Sequence, residues 1–270
     1  MKRRPGFTLI ELLVVIAIIA LLLSIGIPSL RKAKNKAMQL FCFNNLHNYG
    51  IVMEMYLQAN DDFFPCAWES LYAKFIFTEL NEQQRYCRWH NEDYDIEKNP
   101  EVLGGPLWPY METMKTHLCP FFVRVGKQKG ALHPLHDTVT PRIPIVPINS
   151  YSMNALLGPD YGNYPEPNGV LKKTEIKRMT QTFFYAEENV WENRDRSQAV
   201  VNDNALVVNW NTTDEEDVVL GRNPPFVDCF GSFHNAPPDN LDAGEANAVF
   251  ADGHAEYVHW LDSYKLAKPQ

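Results

Sequence analysis

The chain has 270 residues, 45% of them hydrophobic and 21% charged, with a formal net charge of −8. That composition excludes disordered, collagen-like and polytopic membrane classes. The acidic balance argues against nucleic acid as a partner, because nucleic-acid binders present basic stripes. The averages conceal one apolar block, twelve consecutive apolar side chains from Leu12 to Leu23.

Phe7 to Ile27 gives 21 residues, enough at about 1.5 Å per residue to cross a bilayer core as a helix. Its single charge is Glu11. A carboxylate in such a helix either snorkels to the interface or needs a partner. One available partner is an α-amino group, created if the chain is cut just upstream, after Gly6. A secretory signal peptide shares the basic start, Lys2-Arg3-Arg4, but its apolar region is shorter and ends at a small-residue site that Ser24-Ile25-Gly26 matches poorly. Basic residues flank both sides of the span, so charge does not set its orientation.

The run from Arg4 to Ala20, RPGFTLIELLVVIAIIA, resembles the class III signal of type IV pilins and type II secretion pseudopilins. The resemblance implies cleavage after Gly6 by a prepilin peptidase and N-methylation of Phe7. It also implies that Glu11 pairs with the amino terminus of a neighbouring pilin-like subunit in a filament. Removal of residues 1–6 as a leader peptide takes three basic residues away, leaving 22 against 33 acidic and a net charge of −11.

Pro28 interrupts the helical pattern and is expected to kink it. Residues 28–60 then read as an amphipathic spine, with Leu40, Phe43, Leu46, Gly50, Met53 and Leu57 in a stripe suited to lying on a sheet. Asn60-Asp61-Asp62 ends it. Residues 61–270 form the expected envelope domain. Trp68 to Leu80 is a candidate helix, and Leu107 to Met114 a second short one. Arg142–Ser150, Thr182–Ala186 and Asn204–Asn209 are β-prone. Leu157–Gly169 and Asn223–Asn240, rich in Pro and Asn, read as loops.

Asn247–Ala251 and His254–Trp260, joined at Asp252-Gly253, form the clearest pattern, a β-hairpin with a type I′ turn. Val249, Ala251, Ala255, Tyr257 and His259 are candidates for one face, and Phe250, Val258 and Trp260 for the other. This hairpin is similar to the C-terminal prepilin-type processing-associated domain, defined by a His, nine residues and Asp-Gly. Asp252, Gly253 and His254 fit it and Gly244 fits a preceding glycine, but His234 stands 18 residues before Asp252. Either eight residues, Asn235 to Asp242, are inserted, or the His is lost. Weaker matches, such as Cys42-Phe43-Asn44-Asn45-Leu46 and Leu118-Cys119-Pro120, spread the resemblance over most of the chain.

Metal sites are weakly signalled. His234, Asp252, His254 and His259 could be grouped with Asp228 or Cys229, but His254 and His259 are five apart on a strand and point to opposite faces. Calcium fits Asp239, Asn240, Asp242 and Asp252 better, as hard oxygen donors in a loop. The five cysteines, Cys42, Cys66, Cys87, Cys119 and Cys229, contain no CxxC pair, which argues against structural zinc. In an oxidising compartment they allow up to two disulfides. No nucleophile, metallopeptidase or phosphate-loop motif is present, so an enzyme is not expected. Glu187-Glu188 reads as the end of a short strand whose acids are hydrogen-bonded or face solvent.

The expectation is an α+β, pilin-like fold: a long N-terminal helix whose first half spans the inner membrane, packed through its second half on an antiparallel sheet. The expected function is a filament subunit, single-pass, with its C-terminal domain in the periplasm or the assembled filament. The alternative is a membrane-anchored protein that captures glycan or protein cargo.

Overall fold

A computed structural model of the chain describes residues 8–71, 105–129, 149–159, 169–189, 204–208, 228–237 and 239–269. Helix α1 runs from Leu9 to Ala59, with Pro28 inside it. The compact units of the chain divide between Leu40 and Phe41.

In the first unit, α1 is long and apolar enough to cross a membrane. Its side chains are exposed throughout, from Leu9 and Ile10 to Ile27 and Leu30. A helix that is apolar all round and has no protein against it needs lipid or other subunits to cover it.

The second unit holds the rest of α1 and a five-stranded sheet. The strands are β1 (Tyr151–Asn154), β2 (Phe183–Glu187), β3 (Ala205–Leu206), β4 (Ala246–Phe250) and β5 (Ala255–Val258). Their order is β3-β1-β2-β4-β5. Three neighbouring pairs are antiparallel, but β3 lies parallel to β1, so the sheet is mixed rather than purely antiparallel. Parallel pairing needs a long crossover, and the 50 residues between Asn154 and Ala205, with β2 among them, supply it.

Helix α1 lies on one face of this sheet. Its inward stripe is Cys42, Asn45, Leu46, Tyr49, Gly50, Met53 and Leu57, while Leu40 is half exposed, so the amphipathic pattern begins at Cys42. The Tyr49 ring packs on Tyr185 at 4.4 Å and edge-on to Tyr151 at 5.4 Å. A Cβ on Gly50 would stand 2.8 Å from Val249 Cγ2, so the helix approaches β4 closely there. The helix ends as the backbone turns left-handed at Asp61 and Asp62 (φ 51° and 62°), with the Asp62 amide donating to the Leu57 carbonyl.

The opposite face is covered by Cys229, Phe230 and Ala267, the last from helix α3 (Ser263–Ala267), packed against Phe183, Ala186, Ala246, Ala248, Phe250 and Val258. Helix α2 (Pro120–Lys129) follows Cys119. Register decides which side chain reaches which face. Phe183 pairs with Phe250, but Tyr185 pairs with Val249, an irregularity that shifts β2 by one residue. From Tyr185 onward the odd positions of β2, Glu187 included, turn to the helix side. A bulge of this kind re-aims every side chain beyond it.

Trp68 opens a single 3-10 turn, Ala67–Glu69, and residues 72–80 of the expected helix lie outside the described residues. Leu107–Met114 is not one helix. Two 3-10 turns, Trp108–Tyr110 and Met114–His117, take its place, because Pro109 removes an amide within it. Of Arg142–Ser150 only the last two residues are described, and they lead into β1. β2 begins within Thr182–Ala186 and runs one residue further, to Glu187, and β3 lies within the described part, 204–208, of Asn204–Asn209.

The hairpin forms with the expected faces, Val249 opposite Ala255 and Asn247 opposite Tyr257. Its turn differs from type I′. The Phe250 carbonyl accepts from the Gly253 amide at 2.9 Å, Gly253 has a positive φ (+89°) and Asp252 does not. This is a three-residue loop with glycine in the left-handed position.

His117 is buried between the helix and the 3-10 turns. Its Nε2 donates to the Met111 carbonyl at 2.8 Å, which leaves Nδ1 to accept from the Tyr49 hydroxyl at 2.6 Å. Burial pushes its pKa down to about 4, despite the opposing backbone hydrogen bond. A histidine depressed in the folded state contributes full stability above its unfolded pKa of about 6.5, and that stability is lost as pH falls through 4.

Two tests follow from this packing. Gly50→Ala is expected to destabilise the chain by about 1 kcal/mol, the clash with Val249 outweighing the gain in helix propensity. In a Val249→Ala background the same change becomes stabilising, read by urea unfolding in detergent. Acid unfolding between pH 6.5 and 4 is expected to flatten in His117→Gln by up to about 3 kcal/mol, and an unchanged acid limb would place the acid sensitivity elsewhere.

Candidate functional site

Two places in the chain gather chemistry. The first is the start of α1. Thr8 is its N-cap, and Glu11 sits at the third helical position. The Thr8 amide and Oγ1 each donate to Glu11 Oε2 at 2.8 Å, and the Glu11 amide donates to Thr8 Oγ1 at 3.3 Å. This is a reciprocal capping box, signalled in sequence by Thr-x-x-Glu. Glu11 thus has a local partner within one chain, and its other oxygen, Oε1, takes no part in the box. Gly6 and Phe7 lie outside the described residues.

The second place is on the helix face of the sheet. There the bulge-directed Glu187 meets Cys42 of α1, Cys119 ahead of α2, and His234. All four side chains are fully buried, and their donor atoms lie within 4.8 Å of one another. His234 Nε2 stands 2.8 Å from Glu187 Oε1 and 3.5 Å from Cys119 Sγ. The second carboxylate oxygen, Oε2, accepts from both the amide and the side-chain Nδ2 of Asn247, each at 2.8 Å. The rings of Phe121 and Phe233 wall the imidazole at 4.8 and 5.0 Å.

Electrostatics follow from that burial. Desolvation alone would lower the His234 pKa, but the adjacent Glu187 carboxylate and the hydrogen bonds around the ring more than reverse it, to about 9. Burial pushes the Cys119 thiol well up, and the neighbouring Cys42 and Glu187 add to the rise. Burial also raises the Tyr151 hydroxyl, which accepts from Asn45 Nδ2 at 3.2 Å beside the cluster.

The chain reaches His234 through an isolated antiparallel bridge with Glu245, their backbones exchanging hydrogen bonds of 2.8 and 2.9 Å. Asn235 turns left-handed (φ 54°) directly after it. The Asn235–Gly244 excursion is therefore tied at its base. Gly244 allows the closure, since a Cβ there would fall 2.1 Å from the Ser232 carbonyl oxygen.

Other sequence candidates are not brought together. Asp252 and His254 sit at the hairpin turn, hydrogen-bonded to each other, with the His254 ring stacked on Phe250 at 4.5 Å. His259 caps a 3-10 turn by accepting from the Leu261 amide. Of the calcium set of Asp239, Asn240, Asp242 and Asp252, Asn240 caps the turn that holds Asp242 by accepting from its amide. Neither Glu187 nor Glu188 faces solvent. Sequence reasoning missed the four-residue cluster, although each residue was visible. The two cysteines stand 77 positions apart and outside any CxxC.

Comparison with known families adds one result. Residues 1–27 match the prokaryotic N-terminal methylation motif. The N-terminus is of the prepilin type. That match, with one apolar N-terminal helix able to cross a membrane, supports a membrane-anchored, single-pass, pilin- or pseudopilin-like protein processed by prepilin peptidase. The match covers the prepilin segment and not the C-terminal domain. No curated protein and no solved structure matches the chain.

Asn247→Ala removes one of the two donors to Glu187 Oε2. We expect it to destabilise the prepilin-like chain by about 1.5–3 kcal/mol, the usual range for a hydrogen bond to a charged group. The shift of the urea midpoint measures it.

Proposed function

We propose that this protein is a structural, non-catalytic subunit of a type II secretion pseudopilus or a type IV pilus-like filament. The observation that carries the reading is the prepilin-type segment at residues 1–27 continuing into an exposed apolar helix. Cleavage after Gly6 frees the amine of Phe7, which is then methylated. The second unit stands in the periplasm or on the filament surface.

Assembly follows from the physics of the helix. An apolar rod surrounded by lipid gains little from burial against other apolar rods, so packing and polar pairing decide association. Glu11 supplies the polar element. Its Oε1, outside the capping box, faces the new amine of a neighbouring subunit, and that pairing sets the axial register. Breaking a buried pair of this kind leaves an uncompensated charge.

The test compares wild type with Glu11→Ala and Glu11→Gln in the native host or a reconstituted assembly system. Mass spectrometry of the mature N-terminus should find methylated Phe7 in all three. Recovery of Glu11→Ala in crosslinked filaments should fall by at least about tenfold. Normal incorporation of both variants would sink the register role, and an uncleaved wild-type N-terminus would sink the reading as a whole.

A further inference from the structure

The Cys42–Cys119–Glu187–His234 cluster lies entirely within the second unit and has no part in the filament reading. We propose that it is a structural zinc site, with Cys42 Sγ, Cys119 Sγ, Glu187 Oε1 and His234 Nε2 as its four ligands.

The geometry fits a tetrahedral ion. Zinc–sulfur bonds of about 2.3 Å and zinc–nitrogen or –oxygen bonds of about 2.0–2.2 Å place donor atoms about 3.3–3.8 Å apart. The His234 Nε2 to Cys119 Sγ separation is 3.5 Å, and all four donors lie within 4.8 Å of one another. The Glu187–His234 contact, at 2.8 Å, opens by about half an ångström when both atoms bind one ion.

The donor set selects the ion class. Two thiolates are too soft for calcium or magnesium, and two thiolates with one imidazole and one carboxylate suit a borderline-soft divalent ion such as zinc. Binding displaces the two thiol protons and any proton on His234 Nε2 to solvent. The two thiolates and the carboxylate then set three negative charges against the two positive charges of the ion. All four ligands are fully buried, so no open coordination position faces a substrate, and the site is structural.

The carboxylate ligand has the outer support that metal sites use. The oxygen of Glu187 not used for the ion is fixed by two hydrogen bonds from Asn247, which orients the ligating one. Phe121 and Phe233 exclude water around His234. The ligands come from four separate stretches: the helix, the segment before α2, the end of β2 and the segment bridged to β4. A single ion therefore ties the helix to the sheet. A Cys42–Cys119 disulfide would use two of the four convergent donors and leave Glu187 and His234 as a buried pair beside it.

The experiment uses the full chain in detergent micelles, purified under reducing conditions. Zinc K-edge X-ray absorption on the zinc-loaded protein should give two sulfur and two nitrogen or oxygen neighbours. Cobalt(II) titration should saturate at one equivalent, with sulfur-to-metal charge-transfer bands and ligand-field bands of tetrahedral intensity. Cys42→Ser, Cys119→Ser and His234→Asn should each weaken cobalt binding by at least about tenfold, and Cys66→Ser should not. The absorption measurement needs no variant, so a mutant that fails to fold leaves the proposal falsifiable. It is overturned if the reduced wild type takes up no cobalt or zinc, if the sulfur count is not two, or if Cys119→Ser keeps the same spectrum. A Cys42–Cys119 disulfide in protein from the native host, with no metal uptake after reduction, also overturns it.

Discussion

The seat of helix α1 on the sheet is the constraint from which the rest of the second unit follows. Gly50 lets the helix come within van der Waals distance of Val249, and that closeness sets the height of every other contact. Tyr49 can then reach Tyr185, Tyr151 and His117 at once, and about two helical turns earlier Cys42 is lowered into the cluster around Glu187. A larger residue at position 50 would lift the helix, and the side chains beneath it would lose partners together, since closely packed interiors transmit such displacements.

The same helix is asked to do two incompatible things along its length. Its first part is apolar all round and exposed, a surface suited to lipid and to like helices. Its second part buries one apolar stripe against the sheet, while its outer face mixes polar residues with exposed Phe41, Ile51 and Met55. The prepilin-type segment and the exposed apolar stretch lie in the first part, and the sheet-bound stripe in the second.

Within the body, the irregularity in β2 has consequences beyond its size. Without it, Glu187 would share the face of Phe183 and be buried among Phe230, Ala246 and Phe250, where a carboxylate has no partner. With it, Glu187 turns toward Asn247, His234 and the two cysteines. Burying a carboxylate is tolerable there because each of its oxygens is engaged, one by two donors from Asn247 and one by the imidazole. The tied excursion from Asn235 to Gly244 serves the same end, bridging His234 to Glu245 just before β4.

Features whose signals are local can be read directly from the residues. The apolar block, Gly6, Phe7 and Glu11 of the prepilin motif, the α+β class and the Asp252-Gly253 hairpin are all written in runs of a few consecutive residues or in a short period. The turn type was not, because Asp-Gly serves both a two-residue loop and a three-residue one, and the pairing of Val249 with Ala255 chose between them. Nor was the parallel placement of β3, which depends on a crossover rather than on the two residues that form it. The buried cluster was least legible of all. Its four members come from distant stretches, and one of them faces the others only because of a single-residue register shift. Tertiary structure decided it, because which side chains meet is fixed by packing and register across the sheet, and no local pattern encodes either.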